Sequence, residues 1–247
     1  MTDTQEEAVL VERRGRVLII TLNRPEAMNA INGALAHGLL NAVQELDADD
    51  SLTAGVITGK GRGFCSGMDL KAFSRGEDIG PLATFIRSGC SKPLIAAIEG
   101  FAIAGGCEIA LACDLLVASK GAKIGVREVK VGLFAAGGGV FRLPARVGYA
   151  KAMEMALTGE PITAEAALES GMLSGLTEPG GALDAAIELA ERIAANAPLA
   201  VAASKTLVRA AAQGIDEETL LKMQVPLQKK VFASDDAKEG PRAFAEK

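Results

Sequence analysis

Residues 101–114 read FAIAGGCEIALACD. The stretch is small or apolar almost throughout, yet Glu108 stands in its middle and Gly105-Gly106 come just before it. Leaving water disfavours the charged form of a carboxylate, so an acid in what otherwise reads as core needs a reason. The spacing of EIALACD suits a short helix, which puts both glycines at its N-terminus. There the first backbone N–H groups lack an intrahelical partner, and the helix dipole favours negative charge. With no Cβ on either glycine, a ligand oxygen can come close to those N–H groups. Two plainer explanations compete. In one the glycines serve only close helix packing; in the other Glu108 is an ordinary first-turn acid complementing the dipole.

Working outward, the preceding PLIAAIEG predicts a buried strand, and LLVAS (115–119) and AKIGV (122–126) predict two more. At the start of the chain, alternating VLVE and VLIITLN flank RRGR, so the first 23 residues read as a hairpin turning at Gly15. Asn32 is placed to cap a helix to about Asp47, with Leu35, Leu39, Val43 and Leu46 on one face. AGVIT (54–58) predicts a strand, and residues 70–92 a helical region interrupted by Gly and Pro. Beyond Gly137 the pattern is helical: AKAMEMAL after Gly148, a helix capped by Thr163, GALDAAIELAERIAANA, and another running from Pro198 to Gly214. An amphipathic pair covers about 216–245, which Pro226 should break or kink. The fold class is α/β, strands with intervening helices (1–195) followed by a helical C-terminal region (196–247), as one functional unit.

The whole-chain properties narrow the function classes. At 247 residues, 49% hydrophobic and 23% charged, the composition is that of an ordinary soluble globular domain. A net charge of −5 with scattered basic residues argues against a nucleic-acid partner. No apolar segment reaches the ~18 residues needed to span a bilayer. MTDTQEEAVL is acidic and lacks a long apolar run, so no signal peptide is expected and the cytoplasm is the default. The four cysteines form no C-x-x-C pair and the single histidine is His37, so no metal site is expected.

A second glycine-rich loop, GKGRGFCSGMDLKAF, runs from the AGVIT strand into a helix start. It lacks the P-loop spacing, and the chain has no G-x-G-x-x-G fingerprint. Beside the first loop it means more, because N–H groups from two loops could converge on one oxyanion.

These residues resemble a known family. GRGFCSGMDL resembles the G-x-x-F-[CS]-[AS]-G-x-D-L signature of the enoyl-CoA hydratase/isomerase (crotonase) superfamily. KPLIAAIEGFAIAGGCEIALACD is similar to its second signature, REVKVGLFAAGGGVFRLP to its third, and LNRPEAMNAIN to its N-terminal strand-to-helix junction. The resemblance implies a spiral of ββα units with a helical C-terminal region that trimerises, giving a homotrimer or a dimer of trimers. It implies an acyl-CoA thioester as substrate, with coenzyme A part of that substrate and no separate cofactor. The thioester carbonyl would sit between the backbone N–H groups of Ser66 and Gly105. Glu108 and Glu128 would flank the 2,3-double bond, with Glu128 as acid at C2 and Glu108 orienting or deprotonating water. Arg24, Ala27 and the run Ser66, Gly67, Met68, Asp69 and Leu70 would line the acyl-CoA site: Arg24 at the nucleotide phosphates, Ala27 near the adenine, Asp69 shaping its loop, and Lys71 within reach of a phosphate.

The chain departs from the family pattern in places. Arg127 stands where proline commonly precedes the second glutamate, and its charge could lower the Glu128 pKa. GLFAAGGG replaces the more usual G-x-x-P-x-x-G-G. Isomerisation or dehydration on the same scaffold and a non-catalytic acyl-CoA binder are the near rivals. A serine hydrolase built on Ser66, His37 and an Asp is the distant one, since the serine is not in G-x-S-x-G.

Overall fold

The computed structural model describes residues 7–245. Its strands are β1 (Val9–Arg14), β2 (Val17–Leu22), β3 (Ala54–Gly59), β4 (Leu94–Ile98), β5 (Phe101–Ile103), β6 (Leu115–Ser119), β7 (Lys123–Gly125), β8 (Ile162–Thr163) and β9 (Gly175–Thr177). Its helices are α1 (Gly33–Ala48), α2 (Leu70–Ser74), α3 (Gly80–Ser88), α4 (Gly105–Ala112), α5 (Gly139–Val147), α6 (Tyr149–Thr158), α7 (Ala164–Glu169), α8 (Ala182–Ala194), α9 (Pro198–Ala212), α10 (Glu217–Phe232) and α11 (Asp235–Ala245).

The larger sheet runs β1-β2-β3-β4-β6-β9, antiparallel only at the first hairpin. Both of its faces are covered, which is why its strands read as near-continuous apolar runs. Val17, Ile19, Val56, Ile95, Ala97 and Val117 meet Ala186, Ile187 and Ala190 of α8. Leu18, Ile20, Leu22, Ile57, Ala96 and Leu116 face the opposite way, into the main core with Leu35, Leu39, Val43 and Leu46 of α1. The predicted cap of α1 is present, with Asn32 Oδ1 accepting from the Leu35 N–H at 3.0 Å.

What positions the site is the second, smaller layer. Each of several large-sheet strands is followed by a short extended segment that pairs one turn further along the chain. Ile31 bridges Met68, Cys65 bridges Ala102, and β5 runs parallel to β7 with Ala102 opposite Ile124. Strand, short strand and helix therefore repeat as a spiral, as the resemblance implies. The functional loops stack because they occupy equivalent places in successive turns.

Three differences from the sequence reading have simple causes. The region beyond Gly137 is not purely helical: β8 pairs with β7, and β9 completes the edge of the large sheet. At two and three residues these strands are too short to show a period of two. β5 is likewise only three residues long, inside the stretch read as a lead-in to the helix. Pro226 does not break α10, which runs from Glu217 to Phe232; the proline removes one backbone N–H from the ladder without ending the helix. Among the described residues, no helix is long and apolar enough to cross a membrane.

Candidate active site

The chain leaves β5 through Ala104, whose φ of +52° is unusual for a residue with a Cβ and costs on the order of 1–3 kcal/mol. That conformation is held by the Ala104 N–H donating to Gly125 O of β7 at 2.9 Å. It swings the chain directly into α4, leaving Gly105 as the first helical residue. The two glycines then divide the explanations offered for them. A Cβ on Gly106 would lie 2.3 Å from Cys65 O, so Gly106 serves close packing. A Cβ on Gly105 would lie 3.7 Å from Gly67 Cα and 3.8 Å from the Met68 nitrogen, so Gly105 faces the second glycine loop.

That loop is fixed from below by residues 24–31. Asn29 is buried, accepts from the Arg24 N–H at 2.9 Å, and donates to Lys60 O and Gly63 O at 3.0 and 2.9 Å. Ile31 N–H donates to Gly67 O at 2.8 Å, and Asp69 N–H to Ile31 O at 2.9 Å. Ser66 does not supply the free donor expected of it, because its N–H already bonds Met28 O at 3.1 Å. The Met68 N–H lies one step past Gly67 and has no partner among the described residues. Gly67 makes the close approach possible. Its φ is +98°, and a Cβ there would sit 2.8 Å from Ala104 Cβ and 3.3 Å from the Gly105 nitrogen. The two bare amides that face one another across the loops are therefore those of Met68 and Gly105.

Glu108, one turn into α4, is buried at 6% exposure. Its Oε1 accepts from the Gly139 N–H at 2.9 Å, and Gly137 adds a second backbone bond. Burial raises its pKa to about 7, the Gly139 bond and Arg142 work against that rise, and the charge of Glu128 adds to it. A Cβ on Gly137 or Gly139 would lie 2.7 or 3.2 Å from a Glu108 carboxylate oxygen, so glycine is required on this side too. These partners escaped the sequence reading. The GGG run at 137–139 was visible, but nothing in it says which residue its amides face.

Glu128 opens a single 3₁₀ turn after β7 and is half-buried. Burial raises its pKa as well, and two backbone bonds offset part of the rise. One of those bonds is the Arg127 N–H to Glu128 Oε2 at 2.8 Å. The expected influence of Arg127 is thus corrected: it acts through its backbone N–H, which a proline could not supply, and not through its guanidinium. The two carboxyls sit close enough for one charge to raise the other's proton affinity.

The remaining expected residues are placed as follows. Arg24 is already engaged within its own loop. Its guanidinium donates to Ala30 O and to Asp69 Oδ2, the latter at 3.1 Å, and both partners of that ion pair are mostly buried. Asp69 shapes its loop as expected, capping α2 through the N–H groups of Lys71 and Ala72. Ala27 ends a short 3₁₀ turn and is partly exposed, while Leu70 and Lys71 are exposed at the start of α2. His37 is exposed beside Asp78 at 3.8 Å, and among the described residues no hydrogen bond links it to Ser66, which removes the hydrolase triad.

Comparison with known proteins identifies the family. Residues 12–247 match the family described as Enoyl-CoA hydratase/isomerase. An enoyl-CoA hydratase of Mycobacterium tuberculosis is 43% identical over 96% of this chain and 93% of its own. A carnitinyl-CoA dehydratase of Proteus mirabilis is 41% identical over 95% and 94%. A crystal structure of an enoyl-CoA hydratase from Mycobacterium tuberculosis superposes with a TM-score of 0.93 at 52% identity, covering 98% of this chain and 96% of that one.

Proposed function

The chain belongs to the enoyl-CoA hydratase/isomerase family, and from that premise we propose that it is an enoyl-CoA hydratase whose centre is Glu108, Glu128 and the amides of Gly105 and Met68. It adds water across the 2,3-double bond of a 2-enoyl-CoA thioester. The observation that carries the reading is the pair of unpartnered amides together with a buried Glu108 whose pKa burial raises.

Attack of water at C3 pushes electron density through the conjugated system onto the thioester oxygen. Two preplaced N–H donors stabilise that enolate, and one such donor is typically worth about 3–4 kcal/mol. Water loses one proton as its oxygen bonds to C3, and C2 gains one as the enolate collapses. Two glutamates that begin with a single proton between them can do both at once, one accepting the water's proton while the other delivers its own to C2. Burial and mutual repulsion enforce that state. Burial raises the proton affinity of both, and the charge of Glu128 adds to the rise at Glu108. The expected division has Glu128 as acid and Glu108 as base, each facing the water that adds. The proposal therefore attaches to the pair, which titrates as a unit. The scheme needs no cofactor beyond the coenzyme A of the substrate.

We also propose that the chain works as a homotrimer or dimer of trimers in the cytoplasm. Val208, Leu221, Val225 and Phe232 of α9 and α10 stand exposed, as an unpartnered helical surface would. Light scattering should give three or six times 25.4 kDa. The activity itself is tested with a panel of 2-enoyl-CoA thioesters from crotonyl-CoA to long-chain forms, followed by loss of the conjugated absorbance. Tight thioester binding with no turnover at any chain length would leave only an acyl-CoA binder.

A further inference from the structure

The chain carries a net charge of −5, yet one region gathers basic side chains. A cleft of about 310 Å³ opens between the end of α3, the loop after it, and α9 with α10. Arg87, Ser91, Lys205, Arg209, Gln213 and Met223 are among the residues that line it. Most of the charges near it are accounted for. Lys205 donates to Asp114 and to Lys92 O, each at 2.7 Å. Arg146 is held by Cys113 O and Asp114 O, and Arg142 by Ile86 O and Gly137 O. Asp47 accepts from Cys90 Sγ, the Ser91 hydroxyl and backbone, and the Lys92 N–H, so its carboxylate is already satisfied.

Arg209 and Arg87 are different. Among the described residues neither has a hydrogen-bond or ion-pair partner, and Arg209 is partly buried. The chain also makes room for Arg209: Gly89 has φ +65°, and a Cβ there would lie 2.7 Å from Arg209 Nη1. The positive charge of Arg209 works, after burial, to loosen the proton on Arg142. A partly buried guanidinium among like charges is unfavourable unless something anionic joins it.

We propose that this cleft binds a small anion, a carboxylate or phosphate group, gripped by Arg209 with Arg87 at its mouth. The planar fork of a guanidinium suits either group bidentately, and the Gln213 amide is a neutral polar partner in the lining. The volume lies at the lower end for small-molecule sites, enough for a compact metabolite or one end of a longer molecule. Two sources share this chemistry: a free anion, or an acidic group at the far end of the acyl chain. The latter fits Arg142, which donates both to Gly137 O of the loop that holds Glu108 and to Ile86 O, the residue before Arg87.

The test uses calorimetric titration of the intact protein with inorganic phosphate and with succinate, at ionic strength held constant by KCl. Saturable binding is expected, weakened roughly tenfold or more by Arg209→Gln and less by Arg87→Gln. Arg209→Lys should remain folded and recover part of the affinity. Binding no better than the KCl control, or unchanged in Arg209→Gln, overturns the proposal. So does dissociation of the assembly by Arg209→Gln with phosphate affinity intact, which would assign the cleft to an acidic side chain of a second copy. The source is separated by turnover of a 2-enoyl-CoA ending in a carboxylate against its methyl ester. A loss confined to the carboxylate identifies the acyl end, and equal rates on both with phosphate affinity lost identify a free anion. The phosphate measurement needs no turnover, so it stands whether or not the hydratase reading does.

Discussion

The two glutamates of the site stand in unlike surroundings. Glu108 is built into a helix, buried, and clasped by the amides of the 137–139 loop. Glu128 sits on a single 3₁₀ turn, half-buried, and leans on the N–H of the residue before it. Fold geometry thus raises the proton affinity of both acids by burial, one held inside a helix and the other on a single turn. Two carboxyls of the same chemical kind are made unequal by where the backbone puts N–H groups and where it excludes water.

The largest effect should come from erasing either member. Glu108→Gln and Glu128→Gln are each expected to lower kcat by about 10²–10⁴ while changing acyl-CoA affinity little, and the double variant should be scarcely worse than either single one. Steady-state kinetics with a separate binding titration checks this, and additive losses would mean that the two do not act as a unit. Next comes the oxyanion side. Gly67→Ala forces a Cβ to within 2.8 Å of Ala104 Cβ at a φ of +98°, so the facing amides must part. A drop of about 10²–10³ in kcat with the fold retained is expected.

A smaller effect concerns stability. Folding raises the Glu108 pKa from 4.5 to about 7, so the folded state binds the extra proton. Its stabilising contribution is complete below 4.5 and is lost as pH rises through about 7. Urea unfolding at pH 5 and pH 8 should show wild type losing up to about 3 kcal/mol more than Glu108→Gln over that interval. Parallel profiles would show that Glu108 titrates normally. The smallest effect is a near-absence of one. Arg127→Ala keeps the N–H that holds Glu128, so its pH–rate profile should overlay that of wild type, whereas a marked shift would return the role to the guanidinium.

Much of the fold could be read before any coordinates. The hairpin at Gly15, the Asn32 cap and the LLVAS strand follow from turn chemistry and periodicity, which are local. So do Glu108 and its glycines, because an acid inside an apolar run is visible in one dimension. The choice of Met68 over Ser66 as the bare amide depends on Met28 O lying across a loop, and the grip on Glu108 depends on Gly139, 31 residues away. The ion pair of Arg24 was not legible because its partner Asp69 lies 45 residues along the chain. Pairings between turns of the spiral leave no local trace, and these are the ones that set which backbone groups stay free.

The most direct test of the shared proton is a carbon-13 NMR titration of the glutamate carboxyls in wild type and in Glu128→Gln. The account predicts that Glu108 titrates near 7 in wild type and at lower pH once the neighbouring charge is gone. A Glu108 that titrates in the ordinary carboxylate range, or that is indifferent to the loss of Glu128, would contradict it.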